Sequence, residues 1–169
     1  VDRFIFGFEE SYGCLVGTHA RDKDAVVASM ALCEAAAYYK TQGKTLWDAM
    51  IEMYEQFGYY KDAIQSVTMK GIEGLQKIQE IMNSLRQNPP AEFAGHKVVA
   101  VRDYKADTIK DLATGEVKAT GLPNSNVLYY ELTDDAWVCV RPSGTEPKVK
   151  FYYGVKGTSL ADADEKSDI

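Results

Sequence analysis

The sequence predicts an α/β N-terminal portion followed by an α+β domain, whose mostly antiparallel sheet carries its helices on one face. Residues 23–57 contain two helical patterns in succession after a short strand pattern. Residues 63–155 contain one helical pattern and five strand patterns, most of them separated only by turns. Strands that follow one another closely favour antiparallel pairing with helices packed on one face. The change near Gly58 predicts two domains, 1–58 and 59–169.

The first portion begins with an apolar strand at 4–6, followed by a glycine-flanked loop. An alanine-rich helix is predicted from about residue 23 to residue 40. Asp22 is the predicted N-cap, because its carboxylate can accept from the first free amides of the helix. Gly43 is expected to end this helix, since glycine tolerates the backbone conformation that follows a helix.

A second helix is expected to begin with a capping box formed by Thr45 and Asp48. One face of this helix is apolar at helical spacing. The residues on that face are Leu46, Ala49, Met50, Met53 and Phe57.

The second portion is predicted to start with a strand at 63–69 and a helix that Pro89 and Pro90 end. Residues 106–123 are polar and contain glycines, so we interpret them as a surface excursion. A further helix begins at about Leu160. The remaining strand patterns lie at 97–101, 126–130, 136–141 and 148–155.

Composition excludes several classes of protein. The net charge is 19 − 25 = −6 and no basic stripe is present, which argues against a nucleic-acid or anionic-membrane partner. No apolar run approaches twenty residues, and we expect a cytoplasmic protein. Cys14, Cys33 and Cys139 are odd in number and widely spaced, which predicts neither a disulfide framework nor a zinc site.

The chain opens at Val1, without methionine, almost directly into an apolar strand. Its last ten residues resemble the opening of a helix. We therefore interpret the sequence as a fragment.

Residues 141–148, RPSGTEPK, combine the groups that bind phosphate, and we call them the phosphate loop. The arginine offers a planar fork, two hydroxyls donate, the glycine permits close backbone approach and the lysine adds charge. Successive amides at 143–145 are candidates for an anion-binding nest. An ordinary hairpin turn facing water is the alternative, and Glu146 would repel a phosphate unless it points away. The candidate ligands are Arg141, Ser143, Gly144, Thr145 and Lys148.

Glu9 and Ser11 lie two residues apart in the segment GFEESYG. In extended backbone they project to the same side, where they can accept from and donate to neighbouring sugar hydroxyls. A solvated loop is the alternative.

The phosphate loop with the following KFYY, and GFEESYG upstream of it, resemble two loops of the α-D-phosphohexomutases, in the order that this family requires. The resemblance implies that residues 1–58 are part of a domain 3-like sugar-binding domain. It implies that 59–169 are a domain 4-like phosphate-binding domain, truncated at its C-terminus. Glu9 and Ser11 would then bind the sugar.

Some members of the family carry a histidine where this chain has Gly13, and this departure favours the phosphoglucomutase branch. Lys23 matches an active-site lysine of phosphoglucomutases, which implies a catalytic role in proton transfer. Phosphomannomutase and phosphopentomutase stay open as alternatives.

The resemblance implies interconversion of glucose 1-phosphate and glucose 6-phosphate through a phosphoserine and a glucose 1,6-bisphosphate intermediate. Magnesium would support the transfer in the intact enzyme. The serine and aspartate-rich metal loops of the family are absent from this sequence, so we expect no metal ligand here and no activity without the N-terminal domains. The alternative of another class is an interaction module that recognises phosphorylated or acidic partners.

Overall fold

Gly58 marks the division of the chain into two compact units, Val1–Phe57 and Gly58–Ile169. The computed structural model describes residues 3–9, 13–69, 71–144 and 146–168, with only the backbone at Glu9 and Ile72. Gly58 has φ +112°, and a Cβ at this position would lie 2.9 Å from the Tyr60 ring. Glycine is therefore needed at this point for both conformation and space.

The first unit is a two-stranded antiparallel hairpin followed by two helices. Phe6 pairs with Val16 at the open end of the hairpin, and Glu9 pairs with Gly13 at its loop end. The elements are β1 (Phe6–Glu9), β2 (Gly13–Val16), α1 (Ala25–Thr41) and α2 (Leu46–Phe57).

The N-cap of α1 is Asp24, so the prediction of Asp22 was wrong. Asp24 Oδ1 accepts from the amides of Val26 (2.9 Å) and Val27 (3.2 Å). Asp22 lies too early, because the helix starts two residues later than the pattern predicted. The Asp24 carboxylate also lies 3.0 Å from Nε2 of His19, and this hydrogen bond is the largest cause lowering the pKa of Asp24.

The capping box of α2 is confirmed. The amide of Thr45 donates to Asp48 Oδ2 at 2.8 Å, and the Asp48 amide donates to Thr45 Oγ1 at 3.1 Å. Two free donors at the start of the helix are thereby satisfied.

The first unit contains no fully buried side chain among its described residues. Ile5 is 79% exposed and Phe8 75% exposed, although both are apolar. Apolar surface of this extent is typical of a segment that packs against further structure.

The described residues of the second unit form one large sheet, two α-helices and a short 3₁₀ helix at Thr133–Asp135. Its strands and helices are β3 (Tyr59–Thr68), α3 (Gly71–Gln87), β4 (Glu92–Phe93), β5 (His96–Asp103), β6 (Thr108–Asp111), β7 (Val117–Lys118), β8 (Leu128–Leu132), β9 (Trp137–Pro142), β10 (Lys148–Gly157) and α4 (Leu160–Ser167). The strand order is β3-β10-β9-β8-β5-β6-β7, with β4 paired to β5, and every described pairing is antiparallel.

The surface excursion predicted for residues 106–123 was wrong in part, because β6 and β7 lie within it. The two strands extend the sheet beyond β5, with Arg102 paired to Ile109 and Ile109 to Lys118. Their side chains are mostly half-exposed or exposed, so no apolar pattern marks them.

Both helices of the second unit pack on the same face of the sheet. Ile78 and Met82 of α3 are buried in a core that includes Tyr130. A Cβ at Gly157 on this face would lie 2.5 Å from the Ala163 amide nitrogen, so α4 packs closely on β10. The predicted fold class is confirmed.

Candidate phosphate and sugar site

The turn between β9 and β10 holds the phosphate loop in a closed hairpin. The Ser143 amide donates to the Lys148 carbonyl at 2.8 Å, and the Lys148 amide donates to the Glu146 carbonyl at 2.8 Å. The Glu146 amide donates to Ser143 Oγ at 3.2 Å. Because the Ser143 amide closes the hairpin, it cannot serve in the anion-binding nest that the sequence suggested. Thr145 lies outside the described residues.

Arg141 is the exposed cation at the base of this turn. No side-chain ion pair or hydrogen bond joins it to any residue that the structure describes. Burial raises the pKa of the Cys139 thiol, and the nearby Arg141 guanidinium offsets part of that rise. Arg141 and Cys139 are two residues apart on β9, so both side chains lie on the face of the sheet opposite to the helices.

Gly144 leaves its surroundings open. A Cβ at this position would meet nothing within 4 Å, and the residue is exposed. A ligand can therefore approach the backbone closely here, as the sequence analysis proposed.

Lys148 is less available than its sequence position suggested. Its Nζ lies 3.1 Å from Glu146 Oε2, and its side chain is 25% exposed. The Glu146 carboxylate, which would repel a phosphate, is turned toward this lysine. Part of the positive charge of the loop is therefore neutralised within the loop itself.

Lys23 lies two residues before α1. Its side chain packs on the hairpin of the first unit. Its Nζ is 2.9 Å from Asp22 Oδ1, and its side-chain hydrogen bond is the main cause of the lowered pKa of Asp22. A Cβ at Gly13 would lie 3.1 Å from Lys23 Cβ, so glycine makes room for the lysine stem. Lys23 also lines a cavity of about 190 Å³, together with Phe4, Gly7, Phe8, Leu15 and Asp22.

The two predicted sugar ligands have side chains outside the part that the structure describes. Glu9 ends β1, and its side chain lies outside the described part. Ser11 lies outside the described residues altogether. The backbone of Glu9 pairs with that of Gly13, and it is Gly13 that lies close to the Lys23 stem.

Within the described residues, no group of three or more His, Cys, Asp or Glu side chains is placed to hold a metal ion. No described helix is long and apolar enough to cross a membrane. Cys14, Cys33 and Cys139 are free thiols.

Comparison with known protein families decides the identity of the fold. The model of the phosphoglucomutase/phosphomannomutase C-terminal domain matches residues 81–168, more than half of the chain. The model of the α/β/α domain III of the same enzymes matches residues 2–57. The chain belongs to the phosphoglucomutase/phosphomannomutase family. The resemblance stated from its two loops is confirmed.

Curated relatives of this phosphohexomutase chain include phosphoglucomutases of Staphylococcus aureus. The protein of strain bovine RF122 / ET3-1 is 41% identical over 162 residues, and that of strain MRSA252 is 40% identical over the same length. The match covers 96% of this chain but 29% of each relative. The chain thus spans less than a third of the length of these enzymes.

The fold is also that of a solved structure, the open form of the exocytosis-sensitive phosphoprotein pp63/parafusin, a phosphoglucomutase from Paramecium. The TM-score is 0.56 at 18% sequence identity. The superposition covers 94% of this phosphohexomutase chain and 28% of the Paramecium chain.

The sheet register of this phosphohexomutase chain brings one further cation to the candidate site. Lys150 pairs directly with Arg141 across β9 and β10, and the sequence analysis did not single it out. Lys148 and Lys150 are two residues apart in a strand, so both project to the face that carries Arg141. That two-residue period is the signal in the sequence from which Lys150 could have been identified.

Proposed function

We propose that this chain is the sugar- and phosphate-binding part of a phosphoglucomutase. The enzyme would interconvert glucose 1-phosphate and glucose 6-phosphate through a phosphoserine and a bisphosphate intermediate. Family membership and relatives named phosphoglucomutase at about 40% identity support this proposal. The observation that carries it is the exposed Arg141 guanidinium, which has no carboxylate partner among the described residues.

The proposed role of the phosphate loop is to hold the phosphate that is not being transferred. A guanidinium without an internal partner can bind two phosphate oxygens, because no ion pair has to be broken first. Ser143 and Thr145 would add hydroxyl donors, while Gly144 admits the phosphate close to the backbone. Lys148 would contribute charge in competition with Glu146.

The proposed role of the first unit is to bind the sugar through Glu9 and Ser11. A carboxylate and a hydroxyl together satisfy vicinal sugar hydroxyls, because one accepts and the other both donates and accepts. Lys23 would act in the same unit as a protonated group that stabilises negative charge or assists proton transfer.

Positioning is the main contribution that these residues can make to phosphoryl transfer. The described residues offer no metal site, so we assign no magnesium ligand to this chain; magnesium would be held elsewhere in the enzyme. The phosphoserine would likewise come from the N-terminal domains. The 169-residue chain by itself should bind glucose 1,6-bisphosphate weakly and turn over no substrate.

A net charge of −6 argues against a nucleic acid or an anionic membrane as the ligand, and we propose a cytoplasmic enzyme. Phosphomannomutase and phosphopentomutase activities stay open, since a carboxylate and a hydroxyl can hold related sugars.

An NMR titration tests the proposal. Glucose 1,6-bisphosphate and a phosphoserine peptide are added separately to the ¹⁵N-labelled chain. We expect the amides of Ser143 and Gly144 to shift with the sugar bisphosphate and to stay in place with the peptide. Shifts with the peptide alone would instead identify an interaction module. Mutase activity of the purified chain would contradict the assignment of the phosphoserine and metal loops to other domains.

A further inference from the structure

The sheet of the second unit ends in two edges of very different length. β7 lies at one edge and has two residues, whereas β3 lies at the other edge and has ten. Among the described strands, β3 pairs with β10 and with no other. A strand at the edge of a sheet presents a row of unpaired amides and carbonyls, and proteins usually keep such strands short. β3 is therefore a long template on which a further strand can pair.

Alternate residues of β3 present their backbone groups away from β10. The amide of Met69, directly after β3, donates to the carbonyl of Pro147, directly before β10, at 2.8 Å. In an antiparallel ladder, both backbone groups of one residue point to the same neighbour, and those of the next residue point away from it. The residues of β3 that point away are all exposed. They form the outward set, which consists of Tyr60, Asp62, Ile64, Ser66 and Thr68.

The outward set contains two large apolar side chains that face solvent. Tyr60 is 46% exposed and Ile64 is 43% exposed. A lysine on the edge is a common device against edge-to-edge pairing, but Lys61 does not belong to the outward set. Its ammonium contacts the Asp164 carboxylate of α4, on the helix face of the sheet. The outward set is thus left without a cation that would repel a second strand.

The outward set is complementary to itself. A two-fold axis through Ile64, perpendicular to the sheet, would place Ile64 opposite Ile64 of the partner subunit. Asp62 would then face the partner's Ser66, and Tyr60 would face the partner's Thr68. Every outward residue gains an outward partner, with which it can exchange both backbone hydrogen bonds. A register centred on Asp62 would instead set two carboxylates against each other and leave Ser66 and Thr68 unpaired.

We propose that β3 is an interface at which two copies of this chain pair edge to edge, antiparallel and in the register centred on Ile64. A two-fold interface uses the same patch of each copy, and the outward set supplies such a patch. One strand from each copy forms the contact, so the association belongs to the weak, concentration-dependent class. The proposal is independent of the proposed function, because β3 contains none of the candidate sugar or phosphate ligands.

Disulfide trapping tests the register. Ile64→Cys is made in a Cys33→Ser background, because Cys33 is an exposed free thiol. Directly opposite Cα atoms in a hydrogen-bonded antiparallel pair lie about 5.5 Å apart, within the span of a disulfide. Ser66→Cys is the matched control, since its two copies would be offset by four residues, roughly 13 Å. Under mild oxidation, Ile64→Cys should give covalent dimer at least about 10-fold faster than Ser66→Cys.

Sedimentation velocity over a concentration series measures the association itself. Ile64→Lys places two like charges opposite each other and should raise the Kd of the dimer about 5- to 10-fold. Val117→Lys is the matched control, because Val117 is a 56% exposed apolar residue on β7, at the opposite edge of the sheet. It should dimerise as the wild type does. Circular dichroism checks that both variants are folded.

The outcomes decide the proposal. Equal trapping rates for Ile64→Cys and Ser66→Cys would overturn the register, and a wild-type chain that stays monomeric at every concentration would overturn the interface. Association that Ile64→Lys leaves unchanged would place the contact elsewhere and would also overturn it. Trapping remains decisive if Ile64→Lys fails to fold. Titration with glucose 1,6-bisphosphate tests the proposed function separately.

Discussion

The indole of Trp137 on β9 lies across Gly154, its partner on β10. A Cβ at Gly154 would overlap Trp137 Nε1 and would lie 2.7 Å from Asp62 Oδ1. The indole also stacks on Tyr129, with ring centroids 5.5 Å apart and the planes inclined by 10°. The absence of a side chain at Gly154 therefore lets the stacked Trp137 and Tyr129 rings pack against the backbone of β10.

Gly154→Ala should therefore destabilise the second unit by about 1–3 kcal/mol, because the indole must move to admit a methyl group. Urea unfolding followed by tryptophan fluorescence measures the change. Gly144→Ala is the matched control, since a Cβ there meets nothing within 4 Å. It should change the free energy of unfolding by no more than a few tenths of a kcal/mol. Equal effects of the two substitutions would contradict the packing described.

The cap of α1 gives a second prediction. Asp24→Ala removes the acceptor of the Val26 and Val27 amides and should speed the hydrogen exchange of the α1 amides. Asp22→Ala removes exposed contacts with the Lys23 side chain and amide, and should leave the exchange of the α1 amides nearly unchanged. Hydrogen exchange of the α1 amides measures both. Faster exchange in the Asp22 variant than in the Asp24 variant would restore Asp22 as the cap.

The buried Tyr130 predicts how stability depends on alkaline pH. Burial is the largest cause that raises the pKa of its phenol, to about 12, and its hydroxyl donates to the Leu85 carbonyl at 3.2 Å. The folded chain therefore holds this proton more tightly than the unfolded chain. The stability that Tyr130 contributes in this way is complete below about pH 10 and is lost as the pH rises toward about 12.

Tyr130→Phe removes both the hydrogen bond and this titration. At about pH 9 we expect the variant to be roughly 1 kcal/mol less stable than the wild type. The difference should shrink as the pH rises from about 10 to 12, because only the wild type loses stability through this phenol. Urea unfolding at several pH values checks the expectation, and parallel stability curves would contradict it.

The sequence predicted the elements whose side chains alternate or recur on an apolar face. The capping box at Thr45 was also predictable, because both of its hydrogen bonds are local. The strands β6 and β7 were missed because they are short and polar. Their pairing stabilises them: β6 pairs with β5, and β7 pairs with β6. Two aspartates near the start of α1 could not be told apart without the backbone geometry.

At the candidate site, the residue types predicted phosphate binding. The pairing of β9 with β10 decided which amides and charged groups are free to contact a phosphate. The Ser143 amide is used by the hairpin, and Lys148 is paired with Glu146. Both outcomes depend on the register of β9 against β10, which composition does not reveal. The same register places Lys150 opposite Arg141.

The most direct test of the account is the effect of Arg141→Ala on kcat/KM for glucose 1-phosphate, in the longer mutase that we propose contains this chain. A charge-assisted phosphate contact predicts a loss of about 2–4 kcal/mol, which corresponds to a fall of roughly 30- to 900-fold. Lys110→Gln is the control, because Lys110 is an exposed lysine on β6, three strands away from β9. It should leave kcat/KM unchanged. A change of less than a few tenths of a kcal/mol for Arg141→Ala would remove this residue from the site and contradict the account.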